Sequence, residues 1–226
     1  MSTLEHTGEH HHDNSAASGY GDNEVLYVHE FRDDYGSKLG MWLFLFTEVL
    51  LFGGLFFAYF WFRVKYPEGY HDAAQRLDIM PGAINTIILL TSSLTMAYAI
   101  VAIQKGKKAL SNWYLGGTLA FGFWFLINKY FEWSHKIHLD IYPGSDTVLN
   151  KFPDGEGVFF TLYYLMTGLH TLHVIIGMVV IGFIMVSVST ENINKNKYIK
   201  MENAGLYWHL VDLIWIFLFP LFYLLH

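Results

Sequence analysis

Apolar residues in this chain collect into five long runs, and charged residues collect between them. The first run, residues 39–64, reads LGMWLFLFTEVLLFGGLFFAYFWFRV. The others cover residues 83–103, 113–131, 158–189 and 206–225. A helix needs roughly 20 apolar residues to cross a bilayer, and Gly-, Pro- or charge-bearing breaks separate the runs. The expected fold is therefore all-α: an integral membrane bundle of five transmembrane helices. Aromatic residues fall where such helices meet the interface: Trp61, Tyr66, Trp113, Trp133, Tyr207 and Tyr223. Trp and Tyr favour that depth because each has an apolar body and a polar tip. No repeat of fixed period is visible.

Composition narrows the class. Apolar residues are 53% of the chain and charged residues only 15%, a balance that suits lipid better than water. A net charge of −6 argues against nucleic acid as a partner. The absence of cysteine excludes disulfides and thiolate metal sites. Two regions are expected: a polar, flexible tail over residues 1–37 and a five-helix transmembrane domain over 38–226. The tail carries His6, His10, His11 and His12 among acids. It lacks the basic start and apolar centre of a cleavable signal, and it reads as solvated rather than metal-binding.

Five crossings would put the two termini on opposite sides. The side of the N-terminus, with the breaks at 104–112 and 190–204, holds eight of the Lys and Arg residues, and the other side holds six. Lys105, Lys107 and Lys108 form a compact basic turn with no acid. The positive-inside tendency then puts the N-terminus in the cytoplasm and the C-terminus outside.

Several polar residues interrupt the runs. Glu48 lies near mid-span, where a carboxylate costs at least about 3 kcal/mol and must face protein, find a partner or take up a proton. His170 and His173 are three apart in TGLHTLHVIIG, and His209 and Asp212 repeat that spacing in YWHLVDLIW. Such a spacing puts both side chains on one helical face. Three chemistries compete for them: metal or haem ligation, a proton relay, or hydrogen bonds bridging helices. Di-iron bundle sites use Glu-x-x-His pairs, and the candidate pair near a membrane span, Glu132 with His135, sits at a helix end. Helix bridging is preferred, and no metal is assigned to the chain.

The runs carry a resemblance across the whole apolar region. GMWLFLFTEVLLFGGLFFAYF (40–60), NTIILLTSS (85–93), Tyr130–Glu132, TGLHTLHVIIG (167–177) and YWHLVDLIW (207–215) resemble, in order, the cytochrome c oxidase subunit III family. The resemblance implies a non-catalytic subunit of a proton-pumping haem–copper terminal oxidase, which reduces oxygen to water in aerobic respiration. Haem and copper would lie in partner subunits. This chain would pack on the catalytic subunit I, bind phospholipid, support proton uptake and protect the complex during turnover, in a respiratory supercomplex where one forms.

By the same resemblance, Glu48 matches the family's membrane-embedded glutamate. His170, His173, His209 and Asp212 match positions that tie the last helices together. Glu132, Trp61, Tyr207 and Trp208 are the expected lipid or subunit contacts. Two features depart from the longer family members: two N-terminal helices are absent, and Lys129-Tyr130 replaces a Glu-Tyr pair. Alternatives are subunit III of a quinol oxidase or an accessory subunit of nitric oxide reductase. From other classes, a stand-alone proton-coupled transporter and a membrane metalloenzyme built on the intramembrane histidines stay open.

Overall fold

A computed structural model describes the backbone of residues 18–224 except 146–147, 149–151, 153–154 and 196, with side chains from Tyr35 onward. The tail histidines His6, His10, His11 and His12 lie outside the described residues. Among the described residues six helices follow in order: α1 (Ser18–Lys65), α2 (Pro67–Gln75), α3 (Ile79–Gln104), α4 (Lys108–His138), α5 (Glu156–Ser189) and α6 (Ile199–Tyr223). The chain divides into two units after Gly40. Within the described residues the first is the leading part of α1, and the second, Met41–His226, carries everything after it.

In the second unit α3, α4, α5 and α6 close a ring, α3 packing on α4 and α6, and α5 on the same two. A tight turn at Gly106 (φ +73°) reverses the chain between α3 and α4. Lys107 N–H there returns to Ala102 O at 2.9 Å, the left-handed glycine stop common at helix ends. Trp208, Trp215, Phe125 and Tyr163 fill the ring and are wholly buried. Lipid is as apolar as leucine, so helices in a membrane associate through close fit and polar contacts rather than hydrophobic exclusion. Gly177 supplies such a fit: a Cβ there would stand 2.8 Å from the Trp208 ring.

From Met41 on, α1 runs outside the ring. Its buried side chains are Leu45, Phe52 and Tyr59, spaced by seven, the repeat that keeps one seam of a helix against its neighbours. Tyr59 donates to Leu221 O on α6 at 2.7 Å. Most of the remaining surface is open, with Phe57 71% and Val64 83% exposed. The sequence-based five-helix bundle is thus a four-helix ring with a peripheral fifth helix.

Among the described residues, four segments are long and apolar enough to cross a membrane: Tyr35–Lys65, Ile79–Gln104, Glu156–Ser189 and Ile199–Tyr223. The expected third span falls in α4, which is long at 31 residues. Asn112, Tyr114, Gly116 and Gly117 make it less apolar than the others. The sequence also does not announce α2, a nine-residue helix opened by Pro67. Pro suits a first helical position because its missing N–H is unneeded there. This helix packs on α5, and an ion pair from Arg76 Nε to the buried Glu156 Oε2, 3.3 Å, ties its end to the start of α5. Burial among rings pushes the Tyr70 hydroxyl well above its ordinary range.

Candidate functional site

Polar side chains inside the second unit form three sets, and each joins different helices. The first joins α1 to α5. His173 Nε2 stands 2.8 Å from Glu48 Oε2, while His173 Nδ1 stands 2.7 Å from Leu169 O. A carbonyl oxygen can only accept, so Nδ1 carries a hydrogen. Nε2 then either accepts from a protonated Glu48 or, as imidazolium, donates to its carboxylate. In both arrangements one proton is held between the two residues. Phe52 meets the imidazole edge-on at 5.4 Å, and Tyr207 donates to His173 O at 3.3 Å. The pair is mostly buried, with side chains 10% and 14% exposed.

His170 takes a different environment from His173. Three residues turn a helix by about 300°, so the two imidazoles point about 60° apart. That is enough to aim His173 at α1 and His170 into the ring. His170 is wholly buried, between Phe125 (5.6 Å, edge-on) and Trp215 (5.2 Å). Neither of its nitrogens has a hydrogen-bond partner among the described residues. The expectation that it bridges helices by hydrogen bonds is corrected here: it packs between aromatic rings.

The second set joins α3 to α4 and α6 through the TSSLT segment. Ser93 Oγ lies 2.5 Å from His209 Nδ1, Trp208 Nε1 donates to Ser92 Oγ at 3.1 Å, and Thr95 Oγ1 meets Thr118 Oγ1 at 2.8 Å. Asp212, one turn beyond His209, is 3% exposed and lies close to Ser93. Its carboxylate oxygens have no partner of hydrogen-bond geometry among the described residues. Trp208 and Tyr207, expected at a lipid or subunit face, are buried because α6 turns them onto α3 and α5. Trp61 is 64% exposed on the outer side of α1.

The third set was not anticipated. Lys129 Nζ lies 3.0 Å from Glu132 Oε2, and Tyr163 and Tyr223 each donate to Glu132 Oε1 at 2.5 Å. Lys129 also donates to Tyr223 Oη at 2.9 Å and stands 4.8 Å over the Trp215 ring. Lys136 Nζ completes the group, 4.0 Å from Glu132 Oε1. Glu132, expected as a lipid or subunit contact, therefore anchors α4 to α5 and α6. The signal was present in the spacing: positions 129, 132 and 136 recur at i, i+3 and i+7, one helical face. Among the described residues no three His, Asp or Glu side chains gather as a metal-holding group.

A helical ring sealed by buried polar pairs suits a scaffold, and comparison with known proteins says which. Residues 20–226 match the family described as cytochrome c oxidase subunit III. The chain belongs to the cytochrome c oxidase subunit III family. It is 36% identical over 203 residues to cytochrome c oxidase subunit 3 of Thermostichus vulcanus, covering 89% of this chain and 92% of that one. Cytochrome bo(3) ubiquinol oxidase subunit 3 of Pseudomonas putida is 31% identical, covering 83% and 84%. A fused heme-copper oxidase subunit I+III of Aeropyrum pernix is 32% identical over 83% of this chain, which spans only 22% of that longer protein. Membership makes this a multi-pass membrane protein, in keeping with its four long apolar segments. In this subunit III the third polar set is centred on the Lys129–Glu132 pair.

Proposed function

We propose that this chain is the non-catalytic subunit III of a proton-pumping haem–copper terminal oxidase. It would stabilise the catalytic subunit, bind phospholipid and support proton uptake while that partner reduces oxygen to water. The observation that carries the proposal is the family match over residues 20–226. The fused relative adds support, since a single polypeptide there bears the names of both subunits. Haem and copper belong to the partner subunits. On this reading the chain crosses a bacterial inner membrane five times, with the N-terminus in the cytoplasm and the C-terminus in the periplasm, an orientation that the positive-inside tendency supports, in a respiratory supercomplex where one assembles.

Glu48 and His173 supply what a proton-related role needs: one proton held at mid-membrane depth, at the junction of a loosely attached helix and the ring. The closing experiment uses Glu48→Gln in the whole complex. Haem content is expected to match wild type, while activity or lifetime during turnover changes. An assembled complex that has lost its haem in that variant would overturn the non-catalytic assignment. The similarity to a ubiquinol oxidase subunit supports a second reading, in which the electron donor is a quinol. Oxygen uptake by the purified complex, with reduced cytochrome c and then with ubiquinol, separates the two.

A further inference from the structure

One hydrogen bond in the second polar set fixes a tautomer, and the tautomer fixes what His209 shows to its surroundings. Ser93 Oγ lies 2.5 Å from His209 Nδ1. Both Asp212 oxygens lack a partner of hydrogen-bond geometry among the described residues, so the Ser93 hydroxyl does not donate to them. It donates to Nδ1 instead, because a hydroxyl hydrogen left unbonded in apolar surroundings is costly. An imidazole that accepts at one nitrogen carries its hydrogen on the other. His209 Nε2 is therefore an N–H donor.

That donor opens on the outside of the chain. His209 is only partly buried, its hydrogen bond among the described residues is the one to Ser93, and Nε2 is not enclosed. Leu213 and Ile216, four and seven residues on, share its face of α6 and are exposed. Leu90 and Leu94, three before and one after Ser93 on α3, are exposed too. An apolar face thus surrounds an outward N–H.

Depth decides what can answer it. Glu202 and Asn203 are the last polar residues before the apolar part of α6. His209 lies six residues past Asn203, about 9 Å along the helix, and 14 before Tyr223, about 21 Å. A hydrogen bond spans about 3 Å. Lipid ester and phosphate oxygens stay at the hydrocarbon boundary and do not reach that far, and acyl chains offer no acceptor. Polar side chains at such depth turn towards protein.

We propose that the face of α6 around His209 seats a transmembrane helix of a partner subunit, which presents a hydroxyl, amide or carboxyl oxygen to Nε2. The inference rests on the subunit III reading above and adds the face and the chemistry of the contact. Asp212 is enclosed behind this face, so His209 is the member of its pair that meets the partner.

Two variants divide the imidazole. His209→Asn keeps an acceptor near Nδ1 for Ser93 and loses the outward N–H. His209→Gln keeps an N–H near Nε2 and loses the acceptor. In the purified whole complex, His209→Asn should release the chain into mild detergent about threefold faster than wild type, the size of one intramembrane hydrogen bond. As the isolated full chain it should melt with wild type. His209→Gln should show the opposite pattern. The photo-reactive p-benzoylphenylalanine, placed at Leu213 in the complex, should cross-link to a partner's membrane segment with an oxygen-bearing side chain within one helical turn. That measurement carries the test if the histidine variants do not fold.

Equal release of wild type and His209→Asn overturns the donor contact. Cross-links from position 213 to lipid alone, or to a second copy of this chain, overturn the face while a co-purifying haem-bearing partner leaves the subunit III reading standing. A chain that purifies with no haem-bearing partner overturns both.

Discussion

Glu48 shows how a residue that is costly alone becomes ordinary once paired. Leu169 O orients the His173 ring from one side, and Glu48 meets it from the other. Glutamine can serve either proton arrangement, because its amide both donates and accepts. Glu48→Gln should therefore leave the isolated chain within about 0.5 kcal/mol of wild type, since intramembrane hydrogen bonds average about that size. Glu48→Leu strands Nε2 and should lose about 1–2 kcal/mol. Unfolding in mixed micelles by denaturing detergent measures both, and equal losses would deny the pairing. The sequence picked out Glu48 and His173 independently, 125 positions apart. Nothing in the spacing of either run joins them, since a period describes one helix and not which neighbour that helix meets.

Close approach decides outcomes at the scale of elements. Gly177 lets α6 press Trp208 onto α5, and the indole ring cannot yield as a flexible chain end would. Gly177→Ala should destabilise the chain by about 1–3 kcal/mol, the usual consequence of overpacking. Gly53, on the outer side of α1, has nothing within 4 Å of the place where a Cβ would stand. Gly53→Ala should leave the isolated chain unchanged or slightly steadier, because alanine favours helix. Thermal unfolding of the two variants side by side checks the contrast. Both glycines appear in the sequence as small residues in apolar runs. Only the packing separates the one that admits a neighbour from the one that faces outward.

Scale of the whole molecule brings in the Lys129–Glu132 group, which joins α4, α5 and α6 at one end of the ring. Removing one member of a buried ion pair leaves the other uncompensated, at a cost of about 3–5 kcal/mol. Glu132→Leu should show that loss. The double variant Glu132→Leu/Lys129→Met should recover only part of it, because Tyr163, Tyr223 and Lys136 still lose the acceptor that Glu132 gave them. Additive losses in the double variant would argue against the pairing.

Topology is open to test at the same scale. The chain has no cysteine, so single introduced cysteines report sidedness without background. Lys105→Cys and Asn192→Cys are expected to react from the cytoplasmic face, and Glu68→Cys and Tyr142→Cys from the opposite face. Labelling of Tyr142→Cys together with Lys105→Cys would mean that α4 does not cross.

Hydropathy and helical spacing alone told that this chain is helical, that it belongs in a membrane, and that Glu48, His170, His173, His209 and Asp212 are polar residues in apolar surroundings. These are local properties: each depends on what a residue costs in lipid and on the 3.6-residue period of a single helix. The tertiary structure alone decided that α3 to α6 close a ring with α1 outside it, that His173 meets Glu48 while His170 meets rings, and that Glu132 joins α4 to α5 and α6. Those outcomes depend on which helix lies beside which and at what height, and in lipid that choice follows from the fit of facing side chains.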